Sequence, residues 1–279
     1  MDAAPDLGAI VRAKTGELLE SCSLSPQQLR TLRAIADCRR PALGGHWDCC
    51  TSCDHAEVHW NSCQNRHCPL CGGEARRRWL DARVSDVLPV PYFHVVFTIP
   101  SELHVFAIHA PAAFYGILLR AAGRALVDVG RTKLRATIAI LTVLHTWGQE
   151  LWLHPHVHCV VTGGGLSLDG QRWVRIRKVD FLFAVKVISR RFRSLVTSEV
   201  REAVADGTLT LPPSIATPAA LESLLGLSCR TDWHSYSKQP FGGPEQVLAY
   251  VAAYTHRIAI SNKRILDFDG DDVTFSWHD

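Results

Sequence analysis

The chain has 279 residues, a formal net charge of +3, and 47% hydrophobic against 20% charged residues. That size and balance support one large or two modest folded domains and exclude a disordered chain. No apolar run approaches the ~20 residues that cross a bilayer, and "MDAAPDLGAIVRAK" lacks a basic segment followed by an apolar one. The expectation is a soluble cytoplasmic protein with no membrane partner.

Residues 1–37 read as an N-terminal helical segment. "DLGAIVRAKTGELLES" has helical spacing, and "SPQQLRTLRAIADC" opens with Ser25 at the N-cap and Pro26 at the first helical position. "RRPALGGH" then breaks the pattern.

Residues 38–75 form the next unit, and seven of the ten cysteines fall between Cys38 and Cys71. Clustered thiols and histidines in a cytosolic chain point to metal binding and away from disulfides. So short a segment, with few apolar residues, needs metal to fold. Cys50-x2-Cys53 and Cys68-x2-Cys71 supply two pairs of thiolates, the set for one tetrahedral structural zinc. Cys38, His46, Cys63 and His67 are the candidates for a second zinc, Cys63 and His67 being one helical turn apart. A zinc held by four cysteines has no open position, so this segment is structural or DNA-binding and not catalytic. Cys22, Cys159 and Cys229 lie outside the cluster and read as ordinary buried thiols.

"EARRRWLDARVSDVL" returns to helix. "PVPYFHVVFTIP" is a proline-bracketed buried strand over Tyr92–Ile99, its prolines marking a domain boundary. A long helix over Ala112–Val127 precedes the strands "ATIAILTVLHTW" and "LHPHVHCVVT". Their link, "GQEL", is too short for a parallel crossover, so they pair antiparallel. The basic strand "RWVRIRK", a helix over Phe181–Ala205 and a short helix at 219–229 follow. "KQPFGGPEQVLAYVAAYTHRIAIS" reads as loop, helix and strand, and "RILDFDGDDVTFSWHD" as a hairpin with an acidic turn. The fold class is α+β. A domain at 88–279 has a central antiparallel sheet flanked by helices, and a small zinc-binding domain precedes it.

Two constellations carry chemistry. His154, His156 and His158 alternate along one strand and therefore share a face. If the hairpin turns near Gln149–Leu151, His145 lies across from residues 154–156, within reach of the same metal. His156 and His158 are one pair of ligands. His145 is the candidate third, with Gln149, Glu150 and His154 as rivals. Three ligands leave open coordination positions, the mark of a catalytic ion. Further on, Tyr250 and Tyr254 lie four apart on one helical face, flanked by Gln246 and Arg257. A tyrosine hydroxyl is a covalent nucleophile when a neighbouring group activates it and its target is polarised.

The stretches "CRRPALGGH", "CTSCDH", "NSCQNRHCPLC", "PVPYFHVVFTIP", "HTWGQELWLHPHVHCVVTGGG" and "KQPFGGPEQVLAYVAAYTHRIAISN" cover most of residues 38–262. In these the sequence resembles the rolling-circle HUH transposases of the insertion sequence 91 family. The name HUH denotes two histidines around a hydrophobic residue, here His156-Val157-His158. The resemblance implies an HUH endonuclease domain with a five-stranded antiparallel sheet that binds single-stranded DNA at transposon ends, using Mg²⁺ or Mn²⁺. It implies a 5′-phosphotyrosine intermediate and a free 3′-OH. Tyr254 matches the tyrosine present across the family, and Tyr250 the extra one of its two-tyrosine members. The spacing His145-x10-His156-x-His158 is similar to that of conjugative relaxases and favours His145 as the third ligand. Arg76, Arg77, Arg78, Lys238 and Arg257 are the expected DNA-phosphate contacts, with Trp173 and Trp233 as candidates for stacking on bases or for core packing.

The activity expected is a metal-dependent tyrosine DNA endonuclease and strand transferase, working at the bacterial nucleoid. The alternatives are an HUH replication initiator or relaxase, and an inactive zinc-dependent DNA-binding transposase fragment. Family members run on past "TFSWHD", so a truncated C-terminus is expected; no oligomeric state follows from the sequence.

Overall fold

In the computed structural model, which describes residues 5–53, 55–178, 181–238, 246–247, 249–250, 252 and 258–277, the chain divides into two units. One is Met1–Arg83 with Ala252–Asp279, and the other is Val84–Val251.

In the first unit, Asp6 caps α1 (Leu7–Ser21), its carboxylate accepting from Ala9 N–H at 2.6 Å. Ser25 and Gln28 form a reciprocal capping box on α2 (Pro26–Asp37), so the start read from the sequence is the one observed. The strands β1 (Gly45–Cys49) and β2 (Ala56–Trp60) form an antiparallel ribbon in which His46 faces His59. A helix, α3 (Gly72–Asp81), follows. The buried cluster of this unit is small. Ile35, Cys38 and Cys68 form it, with Leu7, Val11, Cys63 and Cys71 packed around them. Thiols therefore occupy the place where a larger domain would put aliphatic side chains.

The second unit is built on a sheet in which β4 (Ala136–Trp147), β5 (Leu153–Ser167), β3 (Tyr92–Thr98) and β7 (Ser235–Lys238) pair antiparallel in that order. A fifth strand, β6 (Trp173–Arg175), pairs with the far end of β5. The short α4 (His104–His109), the long α5 (Pro111–Val129), α6 (Val185–Ala205) and α7 (Pro218–Ser228) complete it. The strand period of two sorts side chains between the faces. Phe93, Val95 and Phe97 of β3 and Val157, Cys159 and Val161 of β5 join the apolar core with Ile117, Leu118 and Leu126 of α5 and Ile188, Phe192 and Val196 of α6. Phe192 stacks on Phe97 at 4.6 Å between ring centroids. By the same alternation, His94, His156 and His158 occupy the opposite face. At the far end of β5, Gly164 has φ +149°, and a Cβ there would lie 2.5 Å from Trp173 Nε1. Only glycine lets β6 pack down at that point.

Several expectations change. The end hairpin, β8 (Ile265–Phe268) and β9 (Val273–Phe275), groups by its contacts with the first unit: Leu7 N–H donates to Asn262 Oδ1 at 3.1 Å and Lys14 pairs with Asp271 at 2.8 Å. Residues 258–260, expected in a strand, are irregular, and β7 supplies the edge strand instead. Trp233 is buried, its Nε1–H donating to Ser228 O at 2.8 Å, so it serves the core and not base stacking. Cys22 is exposed, whereas Cys159 is fully buried as expected.

Candidate functional site

The first metal-capable cluster is made of thiols. Cys38, just past α2, meets Cys63, Cys68 and Cys71 with every sulfur within 4.8 Å of the others. Cys38 Sγ lies 3.5 Å and Cys63 Sγ 3.7 Å from Cys71 Sγ. Four sulfurs held at ~2.3 Å around a tetrahedral zinc stand about 3.8 Å apart, so these thiols already have close to the spacing a zinc would impose. Burial pushes the Cys63 thiol up to about 11 and Cys68 further still. For Cys71, hydrogen bonds from Cys38 and Cys63 outweigh burial and lower it. Backbone N–H groups of Leu70 and Cys71 are directed at Cys68 Sγ, favouring its thiolate.

This grouping corrects the expected one. Cys68 and Cys71 are joined by Cys38 and Cys63, not by Cys50 and Cys53. The last two sit in the exposed turn between β1 and β2, where Ser52 N–H donates to Cys50 Sγ at 3.4 Å and, with Cys53, lowers its thiol. The reason is topological: the ribbon carries its turn away from its base, while Cys38 and Cys63 flank that base, Arg39 N–H bonding Asn61 O at 3.1 Å. Nor do His46 and His67 join Cys38 and Cys63 in a second cluster. His46 faces Asp48 at 3.8 Å on the ribbon, and burial lowers His67.

The second cluster is the histidine site. His145 of β4 and His156 of β5 are direct cross-strand partners, and His158 pairs with Val143 on one side and Val96 on the other. His145, His156 and His158 bring one ring nitrogen each within 4.8 Å of one another. Two of the rings are oriented by their second nitrogen. His156 Nδ1–H donates to His154 O at 2.6 Å, and His158 Nδ1 lies 2.8 Å from His94 Nε2. Such outer partners set which nitrogen of His156 and of His158 is left for a metal, and three imidazoles with ring nitrogens this close together fit a divalent ion. Among the rivals for the third place, His154 is exposed and outside the cluster, and Gln149 and Glu150 lie in the turn.

Sequence reasoning assigned no role to His94. It is 1% exposed, and burial, helped by the charges of Lys238, His145 and His156, pushes it down to about 4. Tyr250 Oη lies 2.8 Å from its Nδ1 and 3.1 Å from its Nε2. The rings of His94 and Tyr250 meet edge-on at 4.8 Å, and Tyr236 packs edge-on against His94 at 5.6 Å. The only signal in the sequence was a polar residue inside a strand otherwise made of core side chains.

Of the expected DNA contacts, Arg77 and Arg78 are exposed on α3, with Arg78 3.7 Å from Glu74, and Arg76 is half-buried. Lys238 is exposed at the sheet edge, paired in register with His94. Tyr254 and Arg257 lie outside the described residues.

A family model described as "Putative transposase" matches residues 139–279, and one described as "Transposase zinc-binding domain" matches residues 10–99. The chain is similar to the "Putative transposase y4qJ" of Sinorhizobium fredii, 43% identical over 92% of this chain and 66% of the relative. It is also similar to the "Transposase for insertion sequence element IS801" of Pseudomonas savastanoi pv. phaseolicola, 27% identical over 94% of this chain and 63% of the relative. The chain thus spans somewhat less than two thirds of the length of these curated relatives. Among solved structures, the conjugative relaxase TrwC in complex with oriT DNA, metal-bound, aligns over 91% of this chain and 96% of that one. The identity is 12% and the TM-score 0.32, a likeness too loose to carry an argument.

Proposed function

The chain belongs to the transposases of the insertion sequence 91 type, and on that premise we propose that it nicks single-stranded DNA at transposon ends and transfers the strand through a tyrosine ester. The observation that carries this reading is the three-imidazole cluster with Tyr250 joined to it through His94. Tyr250 or Tyr254 supplies the oxygen that attacks phosphorus. The bond to the 3′-oxygen breaks, that oxygen takes up a proton to become a 3′-OH, and the phosphate remains as a 5′-phosphotyrosine. The phosphodiester energy is kept in the ester, so rejoining needs no nucleotide cofactor. His145, His156 and His158 would hold a divalent ion, which would supply polarisation of a phosphoryl oxygen. Magnesium prefers oxygen ligands, so an all-imidazole site favours a softer ion such as Mn²⁺. Lys238, exposed at the strand end beside His94, would contact phosphates with little sequence preference, as would the exposed Arg77 and Arg78 of α3. The thiol cluster supports a structural zinc.

The test is incubation of the protein with a hairpin-ended single-stranded oligonucleotide and Mn²⁺, followed by a denaturing gel. A covalent protein–DNA adduct is expected from wild type and none from the Tyr250→Phe, Tyr254→Phe double variant. DNA binding without an adduct, or an adduct that survives both substitutions, refutes the assignment.

A further inference from the structure

His94 touches both a candidate metal ligand and a candidate nucleophile, on one buried hydrogen-bond chain. It sits on β3 diagonally across from His158 on β5, its own partner being Val160, and Lys238 closes the other side of the strand. A neutral imidazole donates from one nitrogen and accepts at the other, so its two partners are not independent. With Nε2 of His158 turned to the metal, Nδ1 of that ring keeps its proton and donates it to His94 Nε2, 2.8 Å away. His94 must then carry its own proton on Nδ1, the nearer of its two nitrogens to Tyr250 Oη, at 2.8 Å against 3.1 Å for Nε2. The direction of the last bond follows: His94 donates and the tyrosine oxygen accepts, as a phenolate nucleophile requires. If Nδ1 of His158 carries no proton, the chain can run the other way, with the tyrosine hydroxyl donating. Depth in the sheet and the edge contacts of Tyr236 and Tyr250 hold the ring where it can serve both partners.

We propose that His94 is a positioning residue that couples metal ligation at His158 to the orientation of the Tyr250 hydroxyl, so that metal loading readies this tyrosine. This rests on the reading of the site given above. The two readings fail differently. If wild type forms no adduct, the function is refuted, while the effect of His94 on metal affinity still tests its half of the chain.

The experiment compares His94→Phe, which keeps ring shape without nitrogens, with His94→Gln, whose amide can accept from His158 and donate to Tyr250. Mn²⁺ affinity is measured by calorimetry, and the adduct on each tyrosine by peptide mapping at saturating Mn²⁺. His94→Phe is expected to weaken Mn²⁺ binding by roughly 10- to 100-fold and to shift the adduct from Tyr250 towards Tyr254. His94→Gln is expected to restore most of both. Equal losses in the Phe and Gln variants indicate a packing role and overturn the proposal. So does an unchanged Tyr250 adduct in His94→Phe at saturating metal, or unchanged metal affinity. If His94→Phe fails to fold, the Gln variant and His94→Leu take its place in the same comparison.

Discussion

Replacing Cys63 by serine should release the structural zinc, whereas replacing both Cys50 and Cys53 by serine should leave that zinc in place. Cys63 Sγ is 3.7 Å from Cys71 Sγ inside a group of four sulfurs that all lie within 4.8 Å of one another, and Cys50 and Cys53 are exposed in the ribbon turn. Structural zinc sites of this kind contribute roughly 10–16 kcal/mol of apparent binding energy. Divided among four thiolates, that is about 2.5–4 kcal/mol per ligand, or roughly 60- to 700-fold in affinity. The buried cluster of this unit holds Ile35 besides its thiols, so loss of zinc should also loosen residues 38–71. Zinc content by mass spectrometry, competition with a chromophoric chelator, and limited proteolysis read the two effects. The reasoning is refuted if the Cys63→Ser protein keeps its zinc against the chelator as well as wild type does. It is equally refuted if the Cys50→Ser, Cys53→Ser protein loses the zinc bound by Cys68 and Cys71.

Three further outcomes are expected. His145→Ala should abolish Mn²⁺ binding measurable by calorimetry while His154→Ala changes it little, because only the first ring lies in the cluster; the reverse order would return the third ligand to His154. Phe192→Ala removes a fully buried ring stacked on Phe97 and edge-on to Trp233, and should cost about 3–5 kcal/mol in urea unfolding; a loss below about 1 kcal/mol would mean the core collapses around the gap. Without added divalent metal, His94 binds its proton near pH 4 in the folded chain and near its ordinary 6.5 when unfolded. The unfolded state therefore holds the extra proton between those values. Stability is full above pH 6.5 and declines as pH falls towards 4, by on the order of 2–3 kcal/mol. The urea midpoint of the sheet unit in His94→Phe should lack this part of the decline, and identical pH profiles for the two proteins would refute it.

The parts legible in the sequence are those that depend on near neighbours. Ser25 and Gln28 mark the start of α2 because a capping box is closed within four residues. His156 and His158 share a face because a strand has period two, and a short turn brings His145 across from residues 154–156, while a register shift between His145 and Trp147 makes His156 its partner. What the chain order hides is which distant segments meet. Two CxxC pairs invite each other on paper, yet the pair at Cys68 and Cys71 is completed by Cys38 at the end of one helix and Cys63 beyond the ribbon. Sequence spacing carries no information about how the intervening ribbon projects its turn. His94 is the sharper case. Its role exists only because β3 lies between β5 and β7, a pairing of residues 64 positions apart with His158, and because Tyr250, 156 positions away, closes on the same ring. Local periodicity put His156 and His158 on one face; the packing of remote strands decided which thiols gather and which buried imidazole lies between His158 and Tyr250.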